Sequence, residues 1–243
     1  MTISLINALD KNQEALSKQL LQTNFLSKLQ TGDFSEDTAK HLVALQLGYN
    51  VKFLSALTEM RGNFLGDPDF ISSFLDPHMS TELGSDLDSV GLKQHGKTHI
   101  AMLYSLATSL SMNKEELYNW GHSAQEFFER ALLGLIGSPN RGRALGSLYA
   151  DEVFANVWFP VYYEGFKNFC LRTDRMLDLE FFRSHADEIE PAHVEHASYL
   201  IQFCVTTNTS LDDFQEGYKT FHAHLVKKFN RLFSENFETV SLA

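Results

Sequence analysis

The chain has 243 residues, 44% of them hydrophobic and 21% charged, a balance that supports one folded domain, residues 1–243, with a sizeable core. Asp and Glu number 31 against 20 Lys and Arg, giving a formal net charge of -11, which argues against a nucleic-acid-binding face and against attraction to anionic membranes. Gly (14) and Pro (5) are too sparse for a loop-rich all-β protein, and no run of apolar residues is long enough to predict a membrane span.

The pattern is helical nearly everywhere. Leu5, Leu9, Leu16, Leu20, Phe25 and Leu29 recur at helical spacing up to Thr31-Gly32, predicting a first helix over residues 4–30. Ser35 is placed to cap a second, whose apolar face is Leu42, Leu45, Val51, Leu54 and Leu57. Asp67-Pro68 reads as a cap followed by proline at the first helical position. Gly84 to Gly96 reads as a polar loop, after which His99, Met102, Leu103, Leu106 and Leu110 form a fourth helix. Asn113 and Glu116 have the spacing of a capping box ahead of Leu117 and Trp120. Phe127, Leu132, Leu133 and Leu135 continue helically to Gly137, and Ser138-Pro139 opens a long helix to about Phe169, which Pro160 should kink. Asp178 can cap the next helix, which meets Pro191 after three turns, and Ser210 begins the last, with Phe214, Tyr218, Phe221, Leu225, Phe229 and Leu232. The expectation is an all-α bundle of about seven to nine helices, without repeats or linkers.

The two cysteines, Cys170 and Cys204, share no metal or redox spacing and read as reduced thiols of a cytoplasmic protein. The N-terminal Met1–Leu5 lacks the basic stretch of a signal peptide. Ten histidines direct attention to metal ligation. His185, His193 and His196 fall within twelve residues of one another, among Asp187, Glu188 and Glu190. Glu190 and His193, three apart, leave one face of a helix close enough to share a metal. His185 and Glu190, five apart, would diverge by about 140° on a regular α-helix and converge only across a π-turn. Pro191, which cannot donate an N–H, already disturbs the ladder there. His196 and Asp187 are the alternatives for the third position. His41 and His122 read as surface or packing residues, and His222 and His224, two apart, diverge. Tyr149, Trp158, Phe159, Tyr162 and Tyr163 form a stripe that reads as core. No G-x-G-x-x-G, P-loop or G-x-S-x-G is present to support nucleotide or hydrolase chemistry.

Phe182-x-x-His185 followed by Glu190-x-x-His193 resembles the His-x3-Asp-x2-His helix of the heme-oxygenase-like metal oxidases, with one extra residue before the acid and Glu in place of Asp. The chain as a whole, over about residues 40–235, resembles the CADD-like proteins of that superfamily, to which pyrroloquinoline quinone synthase is more distantly related. Thr81-Glu82-Leu83-Gly84 is similar to the family's Glu-Glu-x-Gly segment, His99 fits the following helix-opening His better than His95, and Leu148-Tyr149-Ala150-Asp151-Glu152 resembles the mid-chain helix that gives another Glu. The resemblance implies a heme-oxygenase-like bundle with Glu82, His99, Glu152, His185, Glu190 and His193 as metal ligands. Three carboxylates and three imidazoles suit two non-heme irons, or manganese, better than structural zinc. It further implies an O2-dependent oxidoreductase acting on a small or lipid-like molecule. A homodimer is compatible with this reading. The rival is a binding or interaction protein on the same fold with a degenerate site. A third, thiaminase-like reading needs a nucleophilic cysteine.

Overall fold

A computed structural model describes residues 2–83, 98–120, 128 and 132–238. These residues are overwhelmingly helical and include no strand. The helices are α1 (Thr2–Leu21), α2 (Asn24–Gln30), α3 (Glu36–Asn63), α4 (Pro68–Phe70), α5 (Asp76–Glu82), α6 (His99–Ser109), α7 (residues 114–120), α8 (Arg141–Thr173), α9 (Glu180–Ser184), α10 (Glu190–Thr206) and α11 (Leu211–Phe233). Five-residue π-turns at Ile71–Leu75 and His185–Ile189 join α4 to α5 and α9 to α10, so two continuous rods replace four short pieces. Further π-turns lie at Leu132–Ile136 and Ser234–Glu238. The fold is therefore the expected all-α bundle.

Local chemistry fixes most helix ends. The Ser35 hydroxyl accepts from Thr38 N at 3.0 Å and the Ser210 hydroxyl from Asp213 N at 3.2 Å. Asn113 and Glu116 form the full reciprocal box, each backbone N–H donating to the other's side-chain oxygen at 2.9 Å. Three boundaries differ from expectation. The first helix breaks in two, because Thr23 accepts the N–H of Leu26 and starts α2 afresh. Asp67 makes no cap hydrogen bond; its carboxylate is 2.7 Å from the Arg141 guanidinium instead. Asn140, not Ser138, caps α8, accepting from Arg143 N at 3.0 Å, while Ser138 accepts from Asn140 N. Pro160 lies inside α8 without ending it. The Gly84–Gly96 loop, Phe127, His95 and His122 lie outside the described residues.

Helix α8 is apolar or small on nearly every side, as an element surrounded by others must be. It packs most extensively on α11 and α10, with α2 also against it, while α3 lies on α6 and the Leu132–Ile136 turn. Phe214, Tyr218, Phe221, Leu225, Phe229 and Leu232 of α11 are all buried at helical spacing, each contributing about 1.5–3 kcal/mol of apolar burial. The α8–α11 contact is close because Gly146 carries no side chain: a Cβ there would lie inside the van der Waals envelope of the Phe214 carbonyl. Backbone cannot swing aside as a side chain can. Gly146→Ala is thus expected to cost about 2–3 kcal/mol or more, read as a lowered denaturant midpoint with helix content retained. An unchanged midpoint would show that the two helices can separate at no cost. None of the described helices is long and apolar enough to cross a membrane.

Candidate metal centre

Six chemically matched side chains meet in the interior. His78 and Glu82 sit one turn apart on α5, His99 opens α6, Glu152 lies on α8, His185 begins the π-turn and His193 lies on α10. All six are at most 5% exposed. Glu152 is the hub of one group. Its Oε1 is 3.0 Å from His78 Nε2 and its Oε2 is 2.9 Å from His193 Nδ1. These three residues offer ligand atoms that all lie within 4.8 Å of one another, a spacing that could hold a metal ion. His78 Nε2 is buried and, despite its nearness to Oε1, lies outside hydrogen-bond geometry.

The second group is Glu82, His99 and His185. Glu82 Oε2 is 2.7 Å from His99 Nδ1, and the His99 and His185 ring centroids are 4.3 Å apart. His185 Nδ1 is 2.6 Å from the Phe181 carbonyl oxygen. A carbonyl only accepts, so Nδ1 must carry a proton, and in the neutral ring Nε2 is then the nitrogen left for a metal, the tautomer control common behind metal-bound imidazoles. Within the first group the His78 and His193 ring centroids are 4.7 Å apart, and residues of both groups, Glu82 and His185 with Glu152 and His193, line one cavity.

The π-turn explains how α9 and α10 deliver two ligands. Eight residues separate His185 from His193, which on a regular helix leaves them about 80° apart. One surplus residue in the π-turn reduces the effective separation to seven, about 700°, so the two imidazoles share a face within about 20°. The expected π-turn between residues 185 and 191 is present. The cause lies in Pro191: it cannot close the i→i−4 bond, and the ladder shifts to the longer one ahead of it. Ile71–Leu75 precedes Asp76-Pro77 in the same way, with the Asp76 N–H donating to Ile71 O, and His78 follows.

Burial and charge shape the ionisation. Burial raises the Glu152 carboxyl, but His78 and His193 outweigh it and hold the group well below the usual range. Glu82 is lowered against the same burial by His99 first, then His78 and His193. Burial would lower His193, but Glu152 and Glu82 raise it overall. Glu82 and Glu152 are therefore held ionised and paired, whereas burial and the neighbouring Glu152 push the Asp151 carboxyl well above the usual range.

Phe159 and Phe181 wall His185, with ring centroids at 4.5 and 4.1 Å. Beside the cluster lies a cavity of about 20 Å³, enough for a water or a similarly small guest. Glu82, Glu152, His185 and His193 line it together with Gln46, Tyr49, Asn50, Phe53, Asp151 and Trp158. The Tyr49 hydroxyl donates to Asp151.

The structure thus brings together Glu82, His99, Glu152, His185 and His193. The side chains of Glu190 and His196 lie outside the described residues. Asp187 is exposed and is removed as an alternative ligand. His78 was missed by the sequence reading. Its signal is the repeated acid-proline-histidine order, Asp76-Pro77-His78 beside Glu190-Pro191-Ala192-His193, with Glu82 one turn beyond. His41 bonds Asn236 and His222 approaches the Leu16 carbonyl, both away from the cluster. Burial raises both thiols, Cys204 to about 12, which leaves neither activated as a nucleophile. No family model matches the sequence, and no curated protein matches it significantly.

Proposed function

We propose that the bundle is a non-heme metal oxidase, using two irons held by imidazole and carboxylate to turn O2 onto a small molecule. The observation that carries this reading is the Glu152 carboxylate fixed between His78 and His193, with Glu82, His99 and His185 beside it in the same buried interior. The donor set fits: one carboxylate and two imidazoles per metal is a hard-to-borderline environment that accepts iron or manganese and has no thiolate to favour zinc or copper. His78 Nε2, buried and outside hydrogen-bond geometry, also fits a ligand atom for such a metal. In such a centre Glu152, His78 and His193 would hold one metal. Glu82, His99 and His185 would hold the second position, with Phe181 orienting His185 through its carbonyl. When bound, the metal would supply the redox equivalents that O2 chemistry needs. The chain's own part is to keep the donors in place and wall the centre with Phe159 and Phe181. The order of the ligands along the chain supports membership of the heme-oxygenase-like metal oxidases.

The test is anaerobic loading with iron(II), measurement of iron per chain, then O2 uptake at an electrode. Close to two irons per chain and O2 consumption above that of free iron are expected. Iron uptake no greater than that of an unrelated acidic protein would replace the oxidase with an interaction protein on the same fold. Tight binding without O2 uptake would leave a metal site and remove the oxidase.

A further inference from the structure

Lys228 is a buried ionisable group that the metal reading leaves unused. It is 6% exposed and makes no hydrogen bond or ion pair among the described residues. Rings surround the ammonium instead: its nitrogen lies 4.2, 4.9, 5.5 and 5.6 Å from the ring centroids of Phe128, Tyr49, Trp158 and Phe229. Tyr49 and Trp158 also line the cavity that Glu82, Glu152, His185 and His193 line. So does Asp151, which accepts from the Tyr49 hydroxyl and is the charged group that bears on Lys228. A single layer of side chains thus separates a buried positive charge from the place where a metal's charge would arrive. Two unit charges about 10 Å apart, at an effective dielectric of about 20, alter each other's binding by about tenfold or more. An arginine would have to endure that repulsion, whereas a lysine can release its proton.

We propose that Lys228 sets the pH at which the metal centre fills: its ammonium loses a proton to solvent when a divalent cation enters, and it resists that cation for as long as it stays charged. The proposal rests on the metal reading, not on the O2 chemistry. One N–H bond breaks, the electron pair stays on Nζ and the proton goes to the buffer. By linkage, what the metal does to the proton the proton does to the metal. Burial has already pulled the amine down to about 7. Above that pH it is neutral with or without metal, and its effect vanishes. Below it the metal must expel a proton, so affinity falls as the pH falls, by up to about tenfold per pH unit. The ionisable groups that face Lys228 are Asp151 from α8 and Tyr49 from α3. Among the described residues α1, α2, α10, the Ser234–Glu238 turn and the rest of α11 place no other charge that bears on it.

Calorimetric titration of the full chain with manganese(II), at several pH values and in buffers of unlike ionisation heat, gives both the affinity and the protons released. The ligand carboxylates and imidazoles titrate in the parent and in Lys228→Met alike, so the ratio of the two affinities isolates Lys228. Lys228→Met is expected to bind manganese about tenfold more tightly than the parent at pH 6, about twofold at pH 7 and equally at pH 8.5. At pH 6 the parent should release close to one proton more than the variant. The ratio should persist when both chains also carry Asp151→Asn; its loss there would move the proton to Asp151 and overturn the assignment. If Lys228→Met does not fold, the parent's own proton release decides, since Lys228→Arg, charged throughout, must then release about one proton fewer at pH 6. Manganese uptake with an affinity ratio that is the same at every pH overturns the role of Lys228 and leaves the metal centre standing. No uptake of manganese or iron by the parent at any pH overturns the centre, and this linkage with it.

Discussion

Glu152→Ala is expected to lower iron affinity at least a hundredfold, more than the loss typical of an outer partner of a ligand, while far-UV circular dichroism stays helical. Glu152 is the one residue within 3.0 Å of two candidate ligands, so its loss dissolves the link between His78 and His193. The variant leaves two buried imidazoles, which can be neutral, and no stranded anion; the fold should survive with a cost of about 1–3 kcal/mol from lost hydrogen bonding. Glu152→Gln keeps the volume and one oxygen and should bind iron weakly. A chelator-competition titration with elemental analysis separates the outcomes. A lowered melting temperature with unchanged iron affinity would make Glu152 a structural counter-charge for the histidines and remove it from the metal.

Lys228→Met is expected to stabilise the protein, and most strongly at or below neutral pH. Lys228 is 6% exposed, with its ammonium nitrogen 4.2 Å from the Phe128 ring centroid, 4.9 Å from that of Tyr49 and 5.5 Å from that of Trp158. Burial pulls the amine down to about 7, with Asp151 opposing the fall. An unfolded lysine titrates near 10.4. Below about pH 7 both states are charged and the folded state bears the full cost of the buried cation. Between about 7 and 10.4 the unfolded state binds the extra proton, so stability rises with pH, and above that window the penalty is gone. Methionine fills the same aromatic slot with no charge. At pH 6 the melting temperature should rise by about 5–10 °C, and the gain should shrink steadily toward pH 10. The cation–π contacts reduce the gain and cannot reverse its slope. A gain that is the same at pH 6 and pH 10 would show that Lys228 is not displaced.

Features governed by neighbours in the chain were legible in the sequence. The Asn113–Glu116 box and the Ser35 and Ser210 caps are local hydrogen bonds, and the residues that make them lie three apart. The π-turn was legible for the same reason: His185, Glu190 and Pro191 pose a geometric conflict within seven residues. Features set by distant segments were not. Asp67 reads as a cap, but the Arg141 guanidinium captures it. Lys228 on α11 is enclosed by the rings of Tyr49, Phe128 and Trp158, all from distant segments, as well as by its neighbour Phe229. His78 has its partner, Glu152, far along the chain, and its one local mark is the Asp76-Pro77 that precedes it. Gln46 and Asn50 fall in a run that is buried on almost all sides, where periodicity carries no directional information.

The surplus residue in the His185–Ile189 turn makes this region sensitive to length rather than to composition. Side chains at Ala186, Asp187 and Glu188 can change without altering where α10 points, because the detour belongs to the backbone. Deleting one of them would remove the surplus residue, close the ladder at the ordinary spacing and leave His193 on the His185 face, whereas inserting one more would rotate everything downstream by about 100° and carry His193 away from Glu152 as a key turned a quarter past its stop. The Ile71–Leu75 turn imposes the same arithmetic on His78. Glu152 is thus gripped from two sides by rods of coded length, and drift by insertion in either rod would dismantle the centre while every one of its residues remained.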